Sequence, residues 1–229
     1  TNKTYTIGLL IPSIDNPYFA TIASEIVFEA KRYGYTVILL DTLEDEGNES
    51  ECINTLLTRS IDGIILVPCG ERPERLEKID EQTPIVLIDR YFEDTSLSYI
   101  CTDNYRGALD GVKLLIENGH KEILCIRGVP HSMPSKERVK GYIDALRESG
   151  FDTRSRITGN DYSITNGYLE TKLAIGSPAR PTAIFALSNT IMLGAIRAIG
   201  ESSLQIPDDV SILSFDNNLF LDFLHPAVT

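Results

Sequence analysis

The side chains with chemistry to offer follow short apolar runs. After Ile7-Gly-Leu-Leu-Ile-Pro12 come Ser13, Asp15, Asn16, Tyr18 and Phe19; after Pro84-Ile-Val-Leu-Ile88 come Asp89 and Arg90; Asp103 follows at the opening of a later helix. The second half adds His131, Ser132, Arg138, Tyr162, Ser188, Asn189 and Asp216. In open parallel sheets ligands bind outside the carboxyl ends of the strands, and that rule selects these positions. Carboxylates and a guanidinium hold pairs of hydroxyls, and flat rings pack on sugar faces, so the set suits a polyhydroxylated ligand.

Each candidate has a plainer alternative. Tyr18 and Phe19 also fit first-turn core positions, Asp103 fits a helix N-cap, and Asp89 and Arg90 can pair with each other or across the lobes. Arg138 and Asp216 stand out, because a charge on the cleft side of a helix or directly after a buried strand needs a polar partner. His120, in Asn118-Gly-His, reads as a helix-ending turn residue. No nucleophile elbow, phosphate-binding glycine loop, zinc-protease motif or dinucleotide fingerprint is present, and the three histidines form no triad or metal set. The expectation is a binding protein with no catalytic role, no cofactor and no metal.

The elements that must position these residues read as one pattern written twice, a short apolar run followed by an amphipathic helix. Strands are predicted at 5–12, 36–40, 63–67 and 84–88, with helices from Asn16-Pro17 to Gly34 and over 49–60 and 74–79. A helix opening at Asp103 and ending at Asn118-Gly119 follows. The second round has strands at 123–126, 183–186 and 210–214 and helices at 135–149, 165–174 and 190–200. Alternation of this kind implies right-handed crossovers and parallel sheets. The fold class is therefore α/β with two Rossmann-like lobes, residues 1–102 and 103–229, closing on a small molecule at a cleft. The chain stops shortly after its last strand, so a terminal segment that would cover that face is expected to be absent.

The 229 residues are 42% hydrophobic and 24% charged, as in soluble globular proteins, and no apolar run is long enough for a membrane span. Thr1 to Thr4 contain no basic segment or long apolar stretch, so no uncleaved signal peptide is expected ahead of the first strand. A net charge of −12 has the wrong sign for a surface that neutralises phosphates, which argues against nucleic-acid binding by this segment. Cys52, Cys69, Cys101 and Cys125 are widely spaced and read as four reduced, buried small hydrophobes.

The string Val210-Ser-Ile-Leu-Ser-Phe-Asp-Asn217, preceded by Ile206-Pro-Asp-Asp209 and followed by His225-Pro-Ala-Val-Thr229, resembles the effector-binding core of LacI-family transcriptional regulators. Asn16-Pro-Tyr-Phe19, Asp62-Gly-Ile-Ile-Leu66, Asp103-Asn-Tyr-Arg-Gly-Ala108, Arg138 with Gly141-Tyr142, and Arg180-Pro-Thr-Ala-Ile-Phe185 fall in the family's order. The resemblance implies a core of the periplasmic binding protein type I, preceded by a helix-turn-helix headpiece that alone touches operator DNA. It implies a homodimer whose surface includes the helix from Phe19 to Ala30 and the segment from Arg72 to Ile79. It also implies a cytoplasmic location, and a sugar-like effector that shifts the population between lobe orientations. Arg138 and Asp216 match common effector contacts, and Tyr18, Phe19, Asp89, Asp103, Tyr162 and Asn189 match others; Pro134 stands where some members place a polar contact. The alternative is a periplasmic sugar-binding protein of a transport system, which shares the fold and the closing motion.

Overall fold

The computed structural model describes residues 3–151 and 156–216. Thr1, Asn217 and the string His225 to Thr229 used above lie outside the described residues. The chain divides into two compact units, Thr1–Thr102 and Asp103–Thr229.

The first unit runs β1 (Thr6–Ile11), α1 (Pro17–Arg32), β2 (Thr36–Asp41), α2 (Glu46–Leu57), β3 (Gly63–Leu66), α3 (Glu74–Asp80), β4 (Ile85–Ile88) and β5 (Ser98–Ile100). Its sheet is wholly parallel, in the order β2-β1-β3-β4-β5. Strand β1 sits between β2 and β3, pairing Leu10 with Leu40 on one side and Leu66 on the other. Leu9, Leu10 and Ile11 are accordingly inaccessible to solvent, as a strand covered on both faces requires. Helix α1 starts where asparagine and proline predict it: the Asn16 side chain accepts from the Tyr18 amide at 3.0 Å, and proline occupies the first turn, where no amide hydrogen is needed.

The second unit runs α4 (Asn104–Glu117), β6 (Ile123–Ile126), α5 (Met133–Glu148), β7 (Arg156–Thr158), α6 (Ile164–Ile175), β8 (Ala183–Ala186), α7 (Asn189–Gly200) and β9 (Ser211–Ser214). Its parallel sheet has the order β7-β6-β8-β9. Tyr142 of α5 is buried, its hydroxyl donating to the Ile123 carbonyl at 2.8 Å, and burial pushes that phenol's pKa well up.

Several expectations need correction. Helix α2 covers 46–57 instead of 49–60, because Asp45 caps it by accepting from the Asn48 amide at 2.8 Å; Glu49 thus lies inside the helix and is buried. Helix α5 begins at Met133, two residues early, with Ser132 in extended conformation before it. Strands β5 and β7 were not expected. Each has three residues and no apolar alternation, and each exists through pairing at a sheet edge, Val86 with Ser98 and Leu124 with Arg156. None of the four cysteines is in a disulfide, but only Cys125 is buried; Cys52 and Cys69 are half-buried, and Cys101, directly after edge strand β5, is exposed. Burial pushes the Cys69 thiol up to about 12, with neighbouring Glu49 adding to the shift.

Helices α6 and α7 approach so closely that Gly194 has no room for a side chain: a Cβ there would overlap the Ile164 carbonyl oxygen and lie 2.5 Å from the Tyr168 nitrogen. Gly194→Ala is therefore expected to destabilise the protein by about 1 to 3 kcal/mol in urea unfolding. Gly200→Ala, facing open space, should stay within about 0.5 kcal/mol of the parent. Alkylation at pH 8, followed by mass spectrometry, should modify Cys101 first and leave Cys69 and Cys125 thiols intact in the folded state.

Candidate functional site

The sequence-selected residues gather into two sets, one in each unit. In the second unit the centre is Arg138, 4% exposed on α5. Its Nε donates to Asn104 Oδ1 at 2.8 Å and its Nη1 to the Leu187 carbonyl at 2.5 Å. The guanidinium carbon lies 3.6 Å from the centre of the Phe215 ring, and Asp216 Oδ2 stands 3.8 Å from Nη1. The partners come from three places: α4, the end of β8 and the end of β9. Asp103 caps α4 by accepting from the Arg106 amide at 2.9 Å, which fixes Asn104 in the first turn. Phe215 continues the β8–β9 pairing through its amide, which donates to the Ala186 carbonyl at 3.1 Å. Gly107 leaves space for that ring, since a Cβ there would stand 2.9 Å from it.

Beside this group, α7 opens on Asn189, which is 1% exposed, and neither its amide oxygen nor its amide nitrogen finds a hydrogen-bond partner among the described residues. Ser214 Oγ, at the end of β9, is buried and unpartnered in the same sense. Unpaired buried polar groups cost about 1 to 3 kcal/mol each, so such groups invite a polar partner. Ser188 is spent on capping α7, accepting from the Ile191 amide at 3.3 Å. Ser132 donates to the Val129 carbonyl at 2.9 Å and lies 3.2 Å from the Tyr162 hydroxyl. The Tyr162 ring packs against Gly128, where a Cβ would come 2.1 Å from Cε1. His131 is exposed.

In the first unit, Tyr18 donates its hydroxyl to Asp89 Oδ1 at 2.8 Å, and Asp89 Oδ2 lies 3.9 Å from Arg90 Nε. The principal partner of the buried Arg90 is Glu44, which takes both terminal nitrogens, the second at 3.2 Å. Asp89 has φ of 63°, and Leu43 and Glu44 have φ of 54° and 56°, left-handed conformations just after the ends of β4 and β2. Ser13 donates to Asp15, and the Asn16 side chain is used as the α1 cap. Phe19 lies in the apolar core with Leu9, Ile11, Ala23 and Val67, its ring edge-on to Tyr18 at 5.1 Å.

Asn104, Phe215, Ser214 and Glu44 were not among the sequence candidates. Asn104 and Phe215 sit beside selected residues, inside the strings that carry the family resemblance; nothing local marks Glu44. Among the described residues no group of three or more His, Cys, Asp or Glu could hold a metal ion. No helix among the described residues is long and apolar enough to cross a membrane. The arrangement can orient and hydrogen-bond a neutral polar molecule.

Comparison with known proteins bears on what that molecule is for. Residues 4–224 match the family model described as periplasmic binding proteins and sugar binding domain of LacI family. The chain is 31% identical to the NTD biosynthesis operon regulator NtdR of Bacillus subtilis over 229 residues, all of this chain and 70% of that protein. It is 33% identical to the HTH-type transcriptional repressor CytR of Escherichia coli K12, again over the whole chain and 67% of the relative. Among solved structures, the transcription regulator CcpA of Lactococcus lactis superposes with a TM-score of 0.89 at 26% identity, covering 100% of this chain and 84% of that one.

Asn104→Ala removes the acceptor of a buried guanidinium and should lower stability by about 1.5 to 3 kcal/mol, read from urea unfolding. A smaller change than about 0.5 kcal/mol would show that Arg138 does not depend on that contact.

Proposed function

The chain belongs to the family that joins periplasmic binding proteins to the sugar-binding domains of LacI regulators, and it is the effector-binding domain of a LacI-type transcriptional regulator; from that premise we propose that its effector is a sugar or sugar derivative. The observation that carries this reading is the buried amide of Asn189, whose donor and acceptor together match a pair of hydroxyls. Asp216, held near Arg138, supplies a carboxylate acceptor, and Tyr162 supplies a flat ring. In the first unit Asp89, with one oxygen already fixed by Tyr18, offers the same chemistry. Arg138 orders this set more than it reaches for ligand, because Asn104 and Leu187 already occupy its nitrogens. The remaining sequence candidates, Ser13, Asp15, Asn16, Phe19, Arg90, Asp103 and Ser132, serve as caps, core or paired supports.

Ligand binding here acts through coupling to operator affinity, with DNA contact left to a helix-turn-helix outside this segment. The regulator is a homodimer, as two-fold operators require, and exposed Val27 and Phe28 on α1 favour a partner surface there. It works in the cytoplasm and carries out no reaction. The transport-receptor alternative has less support, since NtdR, CytR and CcpA are all transcription regulators.

Thermal unfolding against a panel of monosaccharides and their derivatives tests the proposal. One compound should raise Tm, with stabilisation of about 2.7 kcal/mol at a hundred times its Kd. Asn189→Ala and Asp216→Asn should each weaken that compound about 5- to 150-fold by calorimetry, a loss of about 1 to 3 kcal/mol. A panel without a hit removes the sugar assignment; a hit that both variants bind unchanged removes the site.

A further inference from the structure

Helix α5 also borders a cavity that none of the sequence candidates lines. It has a volume of about 430 Å³, within the range of small-molecule sites, and lies wholly inside the second unit. Its charged lining is Arg127, Lys136, Lys140 and Arg147 against the single carboxylate of Asp144. In a chain of net charge −12, four cations around one hollow stand against the general field of the protein.

The one acidic group is already engaged. Asp144 Oδ1 accepts from Arg147 at 2.6 Å and Oδ2 accepts from the Tyr105 hydroxyl at 3.2 Å. Arg127 is held in place by Nε, which donates to the Gly159 carbonyl at 3.0 Å, and the Lys140 ammonium stands 5.3 Å from the centre of the Tyr105 ring. A second observation is independent of charge. Ser135, 1% exposed in the first turns of α5, lines the same cavity, and its hydroxyl has no hydrogen-bond partner among the described residues. A buried hydroxyl in that position is a ready donor to an anionic oxygen. The rest of the wall is apolar, from Pro130, Val139 and Ile143.

We propose that this cavity is a second ligand site, which takes a phosphate monoester of a small, partly apolar molecule. The dianionic head is matched by the lysines, the arginines and the Ser135 hydroxyl, since guanidinium and ammonium groups bind phosphate oxygens through charge-assisted hydrogen bonds. The carbon skeleton covers Val139 and Ile143. The site shares α5 with Arg138 but none of the residues assigned to the sugar, so it stands or falls separately from that assignment.

The test is calorimetric titration at constant ionic strength with phenyl phosphate and with inorganic phosphate. Saturable binding is expected for both, with phenyl phosphate at least about threefold tighter because its ring covers the apolar wall. Lys136 and Lys140 are exposed, so a K136Q/K140Q double variant keeps the fold and should lose at least about tenfold in affinity. Ser135→Ala should weaken binding by a smaller factor, and Asn189→Ala should leave it unchanged. Non-saturating heats, equal affinities for the two phosphates, or unaltered binding in the lysine double variant would each overturn the proposal.

Discussion

A guanidinium taken out of water must be met on every side, and the second unit is arranged around that demand at Arg138. Desolvating such a charge costs several kcal/mol unless hydrogen bonds and opposite charge replace the lost water. The replacements come from three places in the chain: the Asn104 amide from α4, the Leu187 carbonyl after β8, and the Phe215 ring with the Asp216 carboxylate after β9. Bringing them together requires α4 and α5 to lie almost in contact. Gly141 makes that possible, since a Cβ there would come 2.5 Å from the Tyr105 carbonyl oxygen. One buried charge thus sets the distance between two helices and aligns the ends of two strands.

The consequence for binding is that the scaffold is largely satisfied while selected groups are left open. Arg138 is occupied by protein, whereas the Asn189 amide, at the mouth of the neighbouring strand, is not. On the proposed reading, a ligand that met this amide would find its donor and acceptor already in place, at a low ordering cost. The first unit uses the same device with different residues. Arg90 is tied to Glu44, and the chain accepts left-handed conformations at Leu43, Glu44 and Asp89 to bring these side chains together. Each such residue costs on the order of 1 to 3 kcal/mol, and they persist where surrounding contacts over-determine them.

Much of this was legible in the sequence, for local reasons. A run such as Ile123-Leu-Cys-Ile126 can only be buried on both faces, and a repeat of about 3.6 residues from Phe19 through Ala23 can only be one side of a helix. Asparagine before proline, and glycine after asparagine, mark helix ends by their own hydrogen-bonding and φ preferences. These signals carry the alternation, the parallel sheets and the strand ends where candidate ligands meet the chain. They also place Tyr18, Asp89, Asn189 and Asp216 close after such ends, and Arg138 on the helix that follows one. Where the local signal is thin the reading failed: Asp45 was passed over as the cap of α2, and Ser98–Ile100 and Arg156–Thr158 have no pattern until a neighbouring strand pairs with them.

Periodicity and turn chemistry determined the two-fold α/β organisation and the positions of most elements, because each depends on what a residue prefers within a few positions of itself; the family was legible through the resemblance of particular strings, such as Val210-Ser-Ile-Leu-Ser-Phe-Asp216, to those of its members. Only the tertiary structure decided which polar groups are spent and which are open. Glu44 meets Arg90 across 46 positions and Asn104 meets Arg138 across 34, while Asn189 is left without a partner among the described residues. Those outcomes depend on how helices dock on a sheet, and a docking distance is the sum of many contacts that no single stretch of sequence contains.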